Sequence, residues 1–355
     1  MTRGAVALLL VGLGLVLAWS VPGGARARGR ADTLTIGAYS VVREAFHEAV
    51  LPAFARRWKT KTGREVQFEE SYAASGAQSR AIASGFDADV AVLSLEGDVN
   101  RLVKAGLVKK SWKDGPTEGM ITRSLVVIGV REGNPRSIQG WDDLSRGDVS
   151  VLYPDPKTSG GARWNINAIY GAGLLQKQPG GATSSDSGAG VDLLARVQKR
   201  VVNMDSSGRQ SMATFERGTG DAVVTYENEL LLQRKMTGKP APYVIPPATL
   251  LIEGPAAVVD ASVERHGNRA VAEAFLEFLR SGEAQTLLAD YGFRALDPNR
   301  EPAGRAPLPP GLFTMRDLGG WSKINAQLYE PGGVWDSLFT GRASARARSR
   351  AHGNR

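Results

Sequence analysis

The chain has 355 residues, is 42% hydrophobic and carries a formal net charge of +8, enough length and apolar content for about two domains with real cores. It has no cysteine, which excludes disulfides, a thiol nucleophile and an N-terminal lipoprotein anchor; its three histidines, His47, His266 and His352, are too scattered in sequence to suggest a metal site. The charge sits at the ends: four arginines precede Asp32 and five follow Gly341 with no acid among them, which leaves residues 32–340 at −1 and removes the argument for a nucleic-acid surface.

Residues 1–27 read as a secretory signal. Arg3 supplies the positive start, Ala5 to Trp19 is an apolar run too short for a comfortable membrane span, and Ala25-Arg26-Ala27 offers a cleavage site. An uncleaved anchor helix is the other reading of the same residues. The mature protein is therefore expected outside the inner membrane. The tail, 341–355, is expected to be a solvated, disordered basic segment, with contact to anionic lipid headgroups as the alternative.

Leu34 to Tyr39 reads as the first strand, and Ser40 can cap the helix after it, in which Phe46, Val50, Phe54 and Trp58 recur at helical spacing. Gly63 ends that unit, and Val66 to Glu70 is the next strand. Ser75 followed by Gln78 has the form of a capping box and marks a second helix start. Asp89 to Leu93 reads as a strand, Asp98 to Ala105 as a helix, Ser124 to Arg131 as a strong strand, and Trp141 to Leu144 as a helical turn.

Val149 to Tyr153 reads as a buried strand, broken by Pro154 and Pro156. Ser159 is a good N-cap, and a helix follows from Ala162 to about Leu175. Residues 177–190 form a Gly/Ser/Pro-rich loop. Val191 to Arg200 is an amphipathic helix, and the polar turn Asp205 to Ser211 leads into a short helix ending at Gly218. Asp221 to Tyr226 is a strand, a helix begins at Glu227, and Ala256 to Val259 is the last strand. Val271 to Leu279 is helical, Ser281 caps the next helix, 296–311 is a Pro-rich connector, and Phe313 to Leu338 is a terminal helical segment. Strands and helices alternate throughout, which predicts an α/β protein with parallel sheets covered on both faces.

Ser159 to Ala162 should lie at a helix N-terminus, where backbone N–H groups lack internal partners and the helix dipole is positive. Gly160 and Gly161 let a ligand approach the backbone, so the stretch suits an oxyanion. It serves equally as a plain strand-to-helix turn. The turns beginning at Ser40, Ser75, Ser159 and Gly208 all follow strand ends, where open α/β sheets hold their ligands. Facing one cleft, they would offer many neutral donors and no cation. A donor-only site suits a fully ionised tetrahedral anion and disfavours one that keeps a proton. It also predicts affinity independent of pH between 6 and 8, since neither donors nor ligand titrate there.

These segments resemble the periplasmic sulfate/thiosulfate-binding proteins of ABC importers, over 34–338. Pro156-Lys157-Thr158-Ser159-Gly160-Gly161-Ala162-Arg163-Trp164-Asn165 carries the most specific match, with Asp155 where the family usually has Asn. Tyr72 to Gln78, Asp205 to Phe215, Glu216-Arg217-Gly218, Glu227-Asn228-Glu229 and Gly319-Gly320-Trp321 match further segments. The resemblance implies two lobes, each a sheet flanked by helices, with the ligand in the cleft between them: 32–120 plus 250–340 as one lobe and 121–249 as the other.

It further implies that sulfate is held by the hydroxyl and amide of Ser159, the amides of Gly160 and Gly161, the hydroxyl of Ser75 and the amide of Gly208, with Arg163 and Arg209 supporting the loops. Ser40 replaces a family aspartate that acts through its backbone amide. Tyr226 replaces the family's indole donor, so it acts as a phenolic donor or only lines the cleft; the swap keeps molybdate, tungstate and phosphate open as cargo. The resemblance implies a monomeric binding protein that serves an inner-membrane permease, without cofactor, metal or nucleic acid. A serine hydrolase built on Ser75 or Ser159 is disfavoured, because there is no Gly-x-Ser-x-Gly elbow and no histidine beside a matched segment.

Overall fold

Eight alternating residues, Asp32–Tyr39, form β1, the middle of a parallel trio. It pairs with β2 (Val66–Ala73) on one side and β3 (Val90–Val92) on the other. The structure, a computed structural model, describes residues 31–175 and 187–339. The signal segment, the basic tail and most of the 177–190 loop lie outside the described residues.

β3 pairs antiparallel with the end of β9 (Ala248–Val258), and the middle of β9 pairs antiparallel with the first half of β4 (Met120–Val130). The second half of β4 pairs antiparallel with β7 (Ala222–Tyr226). β5 (Val151–Leu152) lies parallel between β7 and β6 (Val201–Asn203), while β8 (Tyr243–Val244) adds to β4 and β10 (Gly311–Phe313) to β9. The strand path is β2-β1-β3-β9-β4-β7-β5-β6. Two strand groups thus meet only through the long strands β4 and β9. The sheet is mixed, which corrects the all-parallel expectation: β4 and β9 each serve both groups and run against their neighbours.

Most of β9 escapes a sequence reading because Gly254 and Pro255 look like a strand end. Both fit the strand for local reasons. Pro255 pairs with Met120 at the point where the β4–β9 register shifts, and its carbonyl accepts from the Leu93 amide at 2.9 Å. A Cβ at Gly254 would lie 2.3 Å from Thr122 Oγ1, so only glycine lets the two strands approach here.

The helix after β1 is one continuous run, 40–62, opening as a 3-10 turn (Ser40–Val42), passing through a π segment (Phe46–Val50) and ending as the α-helix Leu51–Thr62. Gly63 closes it in the left-handed region at φ 72°. Two expected caps are not formed. Tyr39, not Ser40, precedes the first turn, and no side chain caps it. The helix Ser75–Ala83 is preceded by Ala74, and the Ser75 hydroxyl turns away to Asp98. Ser281 does cap the helix Gly282–Asp290, accepting from the Ala284 amide at 3.3 Å. The segment expected to be helical from Phe313 starts instead as β10, then forms the short helix Gly320–Ile324 and a π turn, Asn325–Tyr329.

The expected apolar stripe is the core of the first strand group. Phe46, Val50, Phe54 and Trp58 are buried, and Phe54 packs on Phe275 (5.1 Å between ring centroids) and Phe278 (5.6 Å) from the helix Arg269–Leu279. Trp58 buries its ring and still donates to Asp32 Oδ2 at 2.8 Å. Phe54→Ala should therefore destabilise the protein by roughly 3–5 kcal/mol. Chemical denaturation checks this; a loss under about 1 kcal/mol would mean that the cluster is not the tight core these ring distances describe.

Candidate functional site

Four helical starts meet at one hollow where the two strand groups face each other. Ser40 opens the first helical run, Ser75 and Gly208 are the first residues of Ser75–Ala83 and Gly208–Glu216, and Ser159 directly precedes Gly160–Leu175. That last helix starts two residues earlier than expected, which places Gly160 and Gly161 in its first turn. Backbone N–H groups at such starts have no partner within the helix, but the Ser159 amide, expected to face a ligand, donates instead to the Asp155 carbonyl at 2.9 Å because the turn closes on itself.

Ser40, Ser75, Ser159, Gly161, Gly208 and Tyr226 all line the hollow. Tyr39, Ser94, Asn165, Ser207, Thr225 and Glu229 join them. No lysine, arginine or histidine is among the described lining residues. The hollow is small, and hydroxyl groups and the backbone of small residues make up much of its wall.

Gly161 faces inward: a Cβ there would lie 3.3 Å from Ser159 Oγ and 3.6 Å from the Tyr226 hydroxyl. Gly160 stands behind the wall, where a Cβ would lie 3.1 Å from Ser75 Cβ and 3.2 Å from Ser94 Cβ. The loops are tied to one another. The Asp155 amide donates to the Asp205 carbonyl and Thr158 Oγ1 to the Ser206 carbonyl, both at 2.8 Å. Ser207 caps the helix at Gly208 by accepting from the Gln210 amide at 3.2 Å.

The hydroxyl expected at Ser75 is otherwise engaged. It donates to Asp98 Oδ2 at 2.6 Å and accepts from the Ser94 amide at 2.9 Å, so what Ser75 has left to offer is its backbone N–H. Neither arginine lines the hollow. Arg163 donates to Asn325 Oδ1 at 3.1 Å and lies over the Tyr329 ring at 4.7 Å. Arg209 bridges Glu44 Oε2 (2.9 Å) and Glu229 Oε1 (3.1 Å). Burial pulls the Arg209 pKa down, but Glu229 and Glu44 outweigh that and raise it.

The hollow is not made of donors alone, which corrects the sequence reading. Asn165 fixes its Nδ2 on the Val224 carbonyl at 2.7 Å and leaves Oδ1 buried without a partner. Glu229 adds a carboxyl whose pKa burial pushes up to about 7; Arg209 opposes the shift, and Glu44 and Glu216 reinforce it. Tyr39 and Tyr226 flank it, both raised above the ordinary phenol value by burial. Ser94 was missed although it follows a strand end, the same signal that drew attention to Ser75. Glu229 lies in the matched Glu227-Asn228-Glu229, but nothing in its spacing says which acid turns inward. Glu227 instead pairs with Arg294 at 2.6 and 2.8 Å, away from the lining.

Two strand groups, joined by two crossing strands and closing over a small hollow lined by helix starts, define the class of two-lobed solute-binding proteins. The profile described as bacterial extracellular solute-binding protein matches residues 39–294. The sulfate-binding protein of Synechococcus elongatus is 40% identical over 314 residues, 87% of each chain, and the thiosulfate-binding protein of Escherichia coli is 34% identical over 317 residues, 87% of this chain and 92% of that one. The solved sulfate-binding protein SubI of Mycobacterium tuberculosis aligns with a TM-score of 0.75 at 39% identity, covering 84% of this chain and all of that one. The chain belongs to the sulfate/thiosulfate-binding family of bacterial extracellular solute-binding proteins.

Glu229 makes the stability of the ligand-free protein depend on pH. The unfolded chain ionises this acid near 4.5 and the folded chain near 7, so the folded state holds the proton more tightly. Stability should fall as pH rises from about 4.5 to about 7 and level off above. Glu229→Gln should flatten this part of the profile in thermal melts; an unchanged slope would show that the carboxyl is not held in a raised state.

Proposed function

We propose that this protein captures sulfate outside the inner membrane through uncharged hydrogen-bond donors and hands it to the permease of an ABC importer. The observation that carries this reading is the convergence of four helical starts on a small hollow with no cation among its described lining residues. The amides of Gly160, Gly161, Gly208, Ser75 and Ser40 and the hydroxyls of Ser159 and Tyr226 form the donor set, and Arg163 and Arg209 hold the loops. A hydrogen bond to a charged acceptor contributes roughly 1.5–3 kcal/mol, so a handful can offset the loss of the anion's water. What the relatives are named for binding supports the choice of sulfate, with thiosulfate next to it.

The lobes are 32–120 with 250–340, and 121–249; β4 and β9 cross between them and act as the hinge that opens and closes the cleft. The protein works in the periplasm as a monomer after removal of residues 1–27, and it binds rather than catalyses. Tyr226 in the place of an indole, together with the free acceptor on Asn165, supports keeping other tetrahedral oxyanions in any test. A calorimetric panel of sulfate, thiosulfate, molybdate, tungstate and phosphate ranks them. Tight phosphate binding with weak sulfate binding would overturn the assignment.

Ser159→Ala removes a charge-assisted donor and should weaken sulfate binding at least about tenfold; wild-type affinity in that variant would place the ligand elsewhere. Affinity should also increase as pH falls from 8 to 6, because a bound dianion favours protonated Glu229 among its neighbours Arg209, Glu44, Glu216, Tyr39 and Tyr226. This replaces the flat profile expected of a donor-only site. Titrations at several pH values check it, and Glu229→Gln should bind sulfate equally well across the range.

A further inference from the structure

We propose that Ser94 is a positioning residue: it receives the indole proton of Trp164 and passes its own to Tyr226, so that the Tyr226 phenol is left with its proton aimed at the bound anion. The inference deepens the sulfate reading and rests on it. All three side chains are at most 4% exposed, at 2% for Trp164, 1% for Ser94 and 3% for Tyr226. Trp164 Nε1 lies 2.9 Å from the Ser94 carbonyl and 3.2 Å from Ser94 Oγ, and Ser94 Oγ lies 2.7 Å from the Tyr226 hydroxyl.

The direction of the chain follows from its first member. An indole N–H can only donate; that of Trp164 is shared between the Ser94 carbonyl, the nearer acceptor at 2.9 Å, and Ser94 Oγ at 3.2 Å, so Ser94 Oγ is an acceptor on that side. Its single proton then goes to its other partner, the phenol oxygen. Running the second bond the other way would place two donors on Ser94 Oγ and strand the serine proton in a buried site. With Ser94 donating, the phenol keeps its proton for a third group. That group is in the hollow, because the phenol oxygen would lie 3.6 Å from a Cβ on Gly161, beside the first turn of the helix Gly160–Leu175. Ser94 itself is held in place through its amide, which donates to Ser75 Oγ at 2.9 Å.

The chain answers how a phenol can serve where the family has an indole. An indole is a donor by constitution, whereas a phenol can turn its proton away or accept. A fixed chain removes that freedom, and each bond polarises the next. Burial keeps the phenol protonated through the neutral range. A donor locked toward the ligand favours an unprotonated oxygen there and disfavours a ligand hydroxyl.

The test is a double-mutant cycle with sulfate as the titrant, using Tyr226→Phe, Ser94→Ala and the double variant of the mature protein, with thermal melts to confirm folding. Tyr226→Phe and Ser94→Ala should each weaken binding about five- to tenfold, and Ser94→Ala should change little once Tyr226 is already Phe. Ser94→Gly serves the same cycle if the alanine variant does not fold, and Ser94→Thr, which keeps the hydroxyl, should restore most of the affinity. A Ser94→Ala loss that is equal in both backgrounds, or absent in both, overturns the chain while Ser159→Ala still reports on the ligand reading. Wild-type protein that binds no sulfate overturns both.

Discussion

An anion of two charges leaves water only if something replaces its hydration, and among the described residues no cation lines the hollow. That constraint shapes the rest. Replacement has to come from peptide and hydroxyl hydrogens, which contribute little singly and must be brought together from separate loops. On the proposed reading the helical starts at Ser40, Ser75, Gly160 and Gly208 supply them, because N–H groups in the first turn of a helix have no partner within it. The loops must also be rigid, since each donor is useful only at the right reach. The bonds from Asp155 to Asp205, from Thr158 to Ser206 and from Ser75 to Asp98 give that rigidity.

The sheet serves the same end. Strands β1, β2 and β3 with their helices form one body, strands β5, β6 and β7 the other, and within the sheet the long strands β4 and β9 join the two. Because these strands pair at Gly254 and Thr122, without room for a further methyl group, the join is tight in the middle, and one apolar cluster runs through it from Leu34 and Ile36 on one side to Val151 and Trp164 on the other.

Much of this was legible in the sequence, and the reasons differ by element. The stripe Phe46, Val50, Phe54, Trp58 announces a helix face because burial follows the helical period. Ser159-Gly160-Gly161 was readable because a broken strand, a cap and two glycines are local signals. What was not legible depends on tertiary partners. Ser75 has the look of a cap, yet Asp98 and Ser94, distant in sequence, claim its hydroxyl. Gly254 and Pro255 look like a stop and are the middle of a strand, since the reason for them lies on β4. Glu229 reads as one acid among several in a helix start; only the packed structure shows that it turns to the hollow while Glu227 turns to Arg294.

Arg209 holds Glu229 beside the hollow and, with the same guanidinium nitrogen, reaches Glu44 on the helical run that follows β1. The two acids belong to different strand groups, so this one cation ties the two faces of the cleft together across the seam. An ion pair at a partly exposed seam weakens as salt is added, so this tie, which lies outside the lining of the hollow, loosens at high ionic strength.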